Sequence, residues 1–264
     1  MRFYSILFFL LFSIQLQAKE VRWISLDPAI TEWIYYLGLE EYLIGRTNHC
    51  NYPAEAKTIT PVGDYNRPLF EVIAKLKPTQ IFALELGRDS LKKESIRFGT
   101  EFVSLPAKKL SDLFIGMDKI IRTLDKADKE ILLKKRALQR LKTLKLRYQK
   151  MIERKNEVDK KFIVLVDLQP IFVAGGNNYV NELISLCRGK NIFAPDKNWP
   201  RLSLEQLLKT EPDQVYVFQR SLEKYKAQSI LKKWFPKPYS IPTDPYSRLG
   251  PRLIEQGLIL CQNK

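Results

Sequence analysis

Apolar positions alternate from Val21 to Leu26 and then fall at helical spacing from Ala29 to Leu37, where Gly38 interrupts them. The first pattern predicts a strand and the second a helix. A short apolar unit, Tyr42 to Gly45, leads into a loop from Arg46 to Pro53. Farther on, an amphipathic helix is predicted over Phe70–Leu76 and ended by Pro78, with strands at Gln80–Leu84 and Glu101–Leu105. Strand, helix, strand, helix is the grammar of a parallel sheet with crossover helices.

The middle of the chain reads differently. From Lys126 to Lys155 there is no Gly or Pro and charge is dense. Asp125 is placed to cap the first turn, with Asp128 three residues on where a carboxylate suits the helix dipole. Leu133, Ala137, Leu141, Leu144, Tyr148 and Met151 follow at spacings of three and four, one apolar stripe along a helix of about 45 Å. Lys and Arg fill the opposite face; a basic face of this kind can lie on nucleic acid or anionic lipid, and solvation of an exposed face explains the same residues. Beyond the helix, Lys161–Asp167 and Gln214–Phe218 read as strands. Asn178–Leu186, Ser203–Lys209 and Pro251–Leu260 read as helices, so the second half repeats the first. The expected fold is α/β with two lobes, 19–124 and 159–264, each a mostly parallel sheet with helices, joined by one long backbone helix over 125–158. Such a connection suits a cleft binder whose lobes move little.

Composition is that of a globular protein: 264 residues, 45% hydrophobic and 28% charged, with 11 Gly and 15 Pro. Disorder and fibrous repeats are excluded. The net charge of +15 sits largely on the long helix and its flanks, and nothing beyond that charge points to nucleic acid. Arg2 followed by the apolar run Ile6 to Phe12 and an exit at Ala18 reads as a cleaved signal peptide, residues 1–18. Its core is shorter than the roughly 20 residues that span a bilayer, and no Cys stands at the cut to carry a lipid. An exported, soluble, monomeric protein is expected.

Export changes the reading of the three cysteines, because oxidising compartments favour disulfides. Cys187 and Cys261, both in helix-like apolar contexts, are the expected pair, a closure on the order of 4 kcal/mol in the chain-entropy model. Cys50 is then an inert buried thiol or part of a ligand site, since its neighbour His49 is the single histidine. One imidazole is too few for a transition-metal cage, and any Ser-His-Asp or Cys-His catalyst would have to use it. No enzyme is expected, nor a catalytic cofactor. The Gly175-Gly176 pair is a weak anion-binding signal without the rest of a phosphate loop.

Several stretches together carry a resemblance. RWISLDPAITE from Arg22 to Glu32, IGRTNHCNYPAEA from Ile44 to Ala56 and VGDYNRPLFEVIAKLKPTQIFA from Val62 to Ala83 come first. NELISLCRGKNIF from Asn181, NWPRLSLEQLLKTEPDQVYVF from Asn198 and TDPYSRLGPRLIEQGLILC from Thr243 follow in the second half. This set is similar to the helical-backbone periplasmic binding proteins that serve vitamin B12, ferric siderophore and haem importers, with the vitamin B12-binding members nearest.

The resemblance implies a periplasmic protein that captures a corrinoid such as vitamin B12 between its lobes and delivers it to an ABC importer permease. A ferric siderophore or haem carrier is the alternative within the group, and an exported adhesion or signalling module the alternative outside it. Glu71 and Glu205, near the starts of equivalent helices, are implied to dock on the permease. His49, Tyr65, Phe172, Trp199 and Tyr246 are implied to line the ligand cleft, with Arg248 as a polar clamp. Aromatic faces supply contact area at little rotamer entropy. Trp199 stands out because it lies in a polar loop. The chain departs from vitamin B12-binding relatives at His49, Tyr65 and Pro245, which leaves the ligand open. His49 is also a candidate axial ligand to bound cobalt or iron.

Overall fold

The computed structural model describes residues 20–64, 66–85, 89–124, 128–153, 160–186 and 189–257. The proposed signal peptide, Asp125, Tyr65, Cys187 and Cys261 lie outside them. The first lobe runs β1 (Trp23–Ser25), α1 (Pro28–Leu37), β2 (Leu43–Arg46), β3 (Thr60–Pro61), a small hairpin of β4 (Gly63–Asp64) and β5 (Arg67–Pro68), α2 (Phe70–Leu76), β6 (Gln80–Leu84), α3 (Asp89–Arg97) and β7 (Glu101–Leu105). Its main sheet has the order β3-β2-β1-β6-β7, with every pair parallel.

Local chemistry sets the ends of α1. Asp27 is its N-cap, the carboxylate accepting from the Ala29 N–H at 2.8 Å, and Pro28 takes the first turn where no N–H is needed. At the other end Gly38 adopts φ 73°, and the N–H of Leu39 closes back on the Ile34 carbonyl. That left-handed conformation calls for glycine, whereas the nearest group to a Cβ there is the mobile end of the Arg140 side chain, which can shift.

Two helices follow, α4 (Leu110–Arg122) and α5 (Asp128–Glu153). The apolar spacing of α4 is regular, with Leu110, Leu113, Met117 and Ile120 fully buried, yet Gly116 sits in its middle. That glycine lets the helix press on Trp33, whose ring would be 2.2 Å from any Cβ. The long helix α5 has 26 residues, about 39 Å at the usual rise. Ala137, Leu141, Leu144 and Met151 of the expected stripe are buried, Leu133 and Tyr148 half-buried, and the helix packs on α1, α4 and the closing helix of the second lobe.

The second lobe runs β8 (Lys161–Leu168), β9 (Ile171–Val173), α6 (Tyr179–Leu186), β10 (Lys190–Asn191), β11 (Arg201–Leu202), α7 (Leu204–Leu208), β12 (Gln214–Phe218), α8 (Leu222–Ala227), α9 (Ser229–Trp234), β13 (Tyr239–Ile241), α10 (Thr243–Ser247) and α11 (Pro251–Gln256). Its sheet has the order β11-β9-β8-β12-β13, with β10 also on β8. Here the second half does not repeat the first. The chain reverses at Gln169-Pro170 and β9 returns antiparallel on β8, with β11 antiparallel on β9, so the sheet is mixed. A two-residue turn is all that an antiparallel return needs, whereas a parallel one needs a crossover.

One hydrophobic cluster joins the lobes, with Trp33, Phe82 and Met117 on one side, Ala137 and Leu144 of α5 between, and Tyr216, Tyr246 and Leu253 on the other. Polar bonds reinforce it. Trp33 Nε1 donates to the Leu249 carbonyl at 2.6 Å, and the Leu110 N–H donates to the Glu182 carboxylate at 2.6 Å.

Candidate functional site

Between the lobes lies a cleft of about 420 Å³. Parallel strands place it, since their carboxyl ends are where α/β sheets open a crevice. From the first lobe come Asp27, Pro28 and Ala29 at the start of α1, Leu84 at the end of β6, and Ala107 just past β7. From the second lobe come Val166 in β8, Phe218 at the end of β12, Arg220 beyond it, Tyr179 at the start of α6, Trp199, and the Ser247–Leu249 stretch.

Trp199 stands on a braced loop. Asn198 adopts φ 60°, its N–H donates to the Gly176 carbonyl at 2.9 Å, and its own carbonyl accepts from Gly175 N–H at 2.9 Å and from Asn178 Nδ2 at 2.7 Å. The indole meets Tyr179 edge-on, with ring centroids 6.0 Å apart. Burial and the negative charge of Asp27 push the Tyr179 phenol well above its ordinary pKa, so it presents a neutral hydroxyl.

Two cations border the cleft, and their situations differ. The Arg248 side chain is only 13% exposed, with Nη1 3.1 Å from Glu32 and 2.8 Å from the Asn51 amide oxygen, and Nη2 3.3 Å from Asp244 and 3.4 Å from the His49 carbonyl. Glu32 itself is 3% exposed and is also held by Arg252. Arg248 therefore secures the lobe junction and the His49 loop while forming part of the cleft wall. Arg220 is exposed, its guanidinium 5.9 Å from the centroid of the Phe218 ring, and it has no carboxylate partner among the described residues. Among those residues, no group of three or more His, Cys, Asp or Glu could hold a metal ion.

Of the residues singled out in the sequence, Trp199 and Arg248 come together in the cleft lining. His49 does not line it; its ring is 71% exposed, with Nε2 3.5 Å from Asp64 Oδ1. Phe172 is half-buried on β9, outside the lining. Tyr246 is fully buried in the core joining the lobes, its hydroxyl donating to the Gln256 carbonyl at 2.7 Å, so packing accounts for it. Glu71 and Glu205 are exposed in the first turns of α2 and α7, Glu205 paired with Lys209 at 2.7 Å. Cys50 is a buried free thiol 3.1 Å from the Thr47 hydroxyl, and burial pushes its pKa up. Sequence reasoning missed Tyr179, Phe218 and Arg220. The signal for Phe218 and Arg220 was their position at and just beyond the end of a predicted strand.

Two α/β lobes on one long helix, with a cleft walled by aromatic and cationic side chains, define a protein built to capture a small molecule between its lobes. The chain belongs to the periplasmic binding protein family, which it matches over residues 24–233. It is 26% identical over 264 residues to the vitamin B12-binding protein of Yersinia pestis (strain Pestoides F), covering 98% of this chain and 91% of that one. Among solved structures, it resembles the periplasmic vitamin B12-binding protein BtuF of Vibrio cholerae, with a TM-score of 0.73 at 22% identity over 91% of this chain and 94% of that one. It also resembles the periplasmic haem-binding protein RhuT of Roseiflexus sp. RS-1, with a TM-score of 0.76 at 21% identity over 92% and 97%.

Proposed function

We propose that this protein is exported to the periplasm, captures a corrinoid such as vitamin B12 in the cleft between its lobes, and delivers it to an ABC importer permease. The observation that supports this most is Trp199, half-buried on a braced loop and meeting Tyr179 at the cleft wall, an apolar surface for a flat ring system. Relatives named for vitamin B12 point the same way. Glu71 and Glu205, one per lobe, are the carboxylates offered to the permease, and exposed charges of that kind orient a complex more than they tighten it.

Arg220 favours a second reading within the same class. An unpaired guanidinium beside an aromatic wall suits a ring that carries carboxylates, as haem does. Calorimetric titration of the purified protein with aquocobalamin and with haemin separates the two. Binding of aquocobalamin, weakened at least about tenfold by Trp199→Ala, supports the corrinoid reading, while exclusive binding of haemin with loss in Arg220→Ala replaces it. Axial ligation by His49 is checked in the same samples: a visible-band change retained in His49→Ala excludes it. Reversing both Glu71 and Glu205 to Lys is expected to leave ligand affinity within a few-fold and to weaken capture by permease-containing membranes.

A further inference from the structure

The long helix α5 has two unlike faces. One is packed in the core through Ala137, Leu141, Leu144 and Met151. The other carries Ile131, Leu132, Leu138, Leu146 and Ile152, each between 44% and 52% exposed. Exposed Lys135, Arg136, Lys142, Lys145 and Lys150 stand among them. At 3.6 residues per turn, Ile131, Leu138 and Lys142 fall near one line along the helix, with Lys135, Lys145 and Leu146 beside it. Aliphatic and basic residues are thus interleaved on one surface, not segregated. Among the described residues none of these five cations is in an ion pair; Arg147 of the same helix is, with Glu255.

We propose that this outward face of α5 docks on the surface of an anionic lipid bilayer. A polyanion such as nucleic acid would engage the cations and leave five aliphatic side chains in water. Protein interfaces are depleted in Lys and draw on aromatic anchors, and the apolar residues of this face are all aliphatic. A bilayer surface satisfies both kinds of residue at once. Lysine heads reach the phosphate layer while their stems and the aliphatic groups settle at the acyl boundary. No helix of the described residues is long and apolar enough to cross the membrane, so the contact lies along the surface.

The placement of α5 makes such docking compatible with an open cleft. Arg140 of α5 donates to the Tyr36 carbonyl at 3.1 Å, at the C-terminal end of α1, whereas the cleft is lined by Asp27, Pro28 and Ala29 at the other end. These ends are separated by a 10-residue helix, about 15 Å, and no residue of α5 lines the cleft. This proposal does not depend on the ligand's identity.

Co-sedimentation of the mature protein with vesicles of phosphatidylethanolamine and phosphatidylglycerol, against vesicles of phosphatidylcholine alone, tests it. Binding is expected to the anionic vesicles and to fall as salt rises. Each basic residue near an anionic surface raises partitioning about fivefold, so removing three charges is expected to cut it on the order of a hundredfold, and the reversals Lys135→Glu, Lys142→Glu and Lys145→Glu together by more. The corresponding Gln variants serve should the reversals disturb folding, which circular dichroism reports. Leu138→Ser with Leu146→Ser is expected to weaken binding several-fold at unchanged charge. As a control, Lys57→Glu, Lys75→Glu and Lys92→Glu remove the same charge from elsewhere on the surface. An equal loss in that control would show that net charge alone attracts the protein and overturn the proposal. So would equal binding to phosphatidylcholine, no effect of the Ser pair, or no vesicle binding with an acidic protein captured through α5 instead.

Discussion

The two walls of the cleft are built from different materials. The first lobe contributes Asp27, Pro28, Ala29, Leu84 and Ala107, largely small side chains carried on a helix start and strand ends. The second lobe contributes Trp199, Tyr179, Phe218, Arg220 and Arg248, which are all of the aromatic residues and both cations of the described lining. One wall is a smooth backstop and the other is where a ligand would be distinguished. The first lobe's largest contribution lies behind its wall, where buried Glu32 holds Arg248 and Arg252.

Breaking that buried anchor is expected to have the largest effect. Glu32→Ala leaves the Arg252 guanidinium, 14% exposed, without a carboxylate among the described residues and Arg248, 13% exposed, with Asp244 alone. Removing one partner of a buried pair typically costs about 3–5 kcal/mol, to be read as a fall in the thermal midpoint by calorimetry. Next comes the contrast between walls: Trp199→Ala is expected to weaken binding of a planar ligand at least about tenfold, and Leu84→Ala by less. Equal effects would mean that the ligand rests on both walls alike. The smallest effect concerns pH. Burial raises the Asp167 carboxyl, but hydrogen bonds from Lys224 and from the Leu168 and Gln169 N–H groups outweigh it and hold its pKa below the ordinary value. A depressed carboxyl stabilises the fold above the usual carboxylate range, and that contribution disappears as pH falls through the folded pKa. With both partners partly exposed it is worth less than about 1 kcal/mol, and acid titrations of Asp167→Asn should lack that part of the slope.

Legibility followed the strength of local patterning. The strands Gln80–Leu84, Glu101–Leu105 and Gln214–Phe218 and the helix Phe70–Leu76 were readable to the residue, because Pro, Gly or charge bounds each apolar run. Helix α4 was overlooked although its spacing is regular, since Gly116 serves tertiary contact with Trp33 and reads locally as a break. The β8–β9 reversal was hidden because two residues at Gln169-Pro170 are a short signal inside an apolar stretch. In the site, Trp199 was legible as an aromatic in a polar loop. Tyr246 rested on the resemblance alone, and the structure turns it into the core, where its hydroxyl finds the Gln256 carbonyl. Arg248, implied by the resemblance as a clamp on ligand, does line the cleft, and its bonds to Glu32, Asn51 and Asp244 also clamp the protein itself.

The single cluster in which Trp33, Leu144, Tyr216 and Leu253 all take part bears on how the molecule comes apart. Lobes with separate cores would melt in succession, each with its own midpoint. Here the largest core belongs to neither lobe, and exposing either half of it strands apolar surface on the other. Denaturation is therefore expected to be a single cooperative transition, with tryptophan emission and backbone ellipticity changing together.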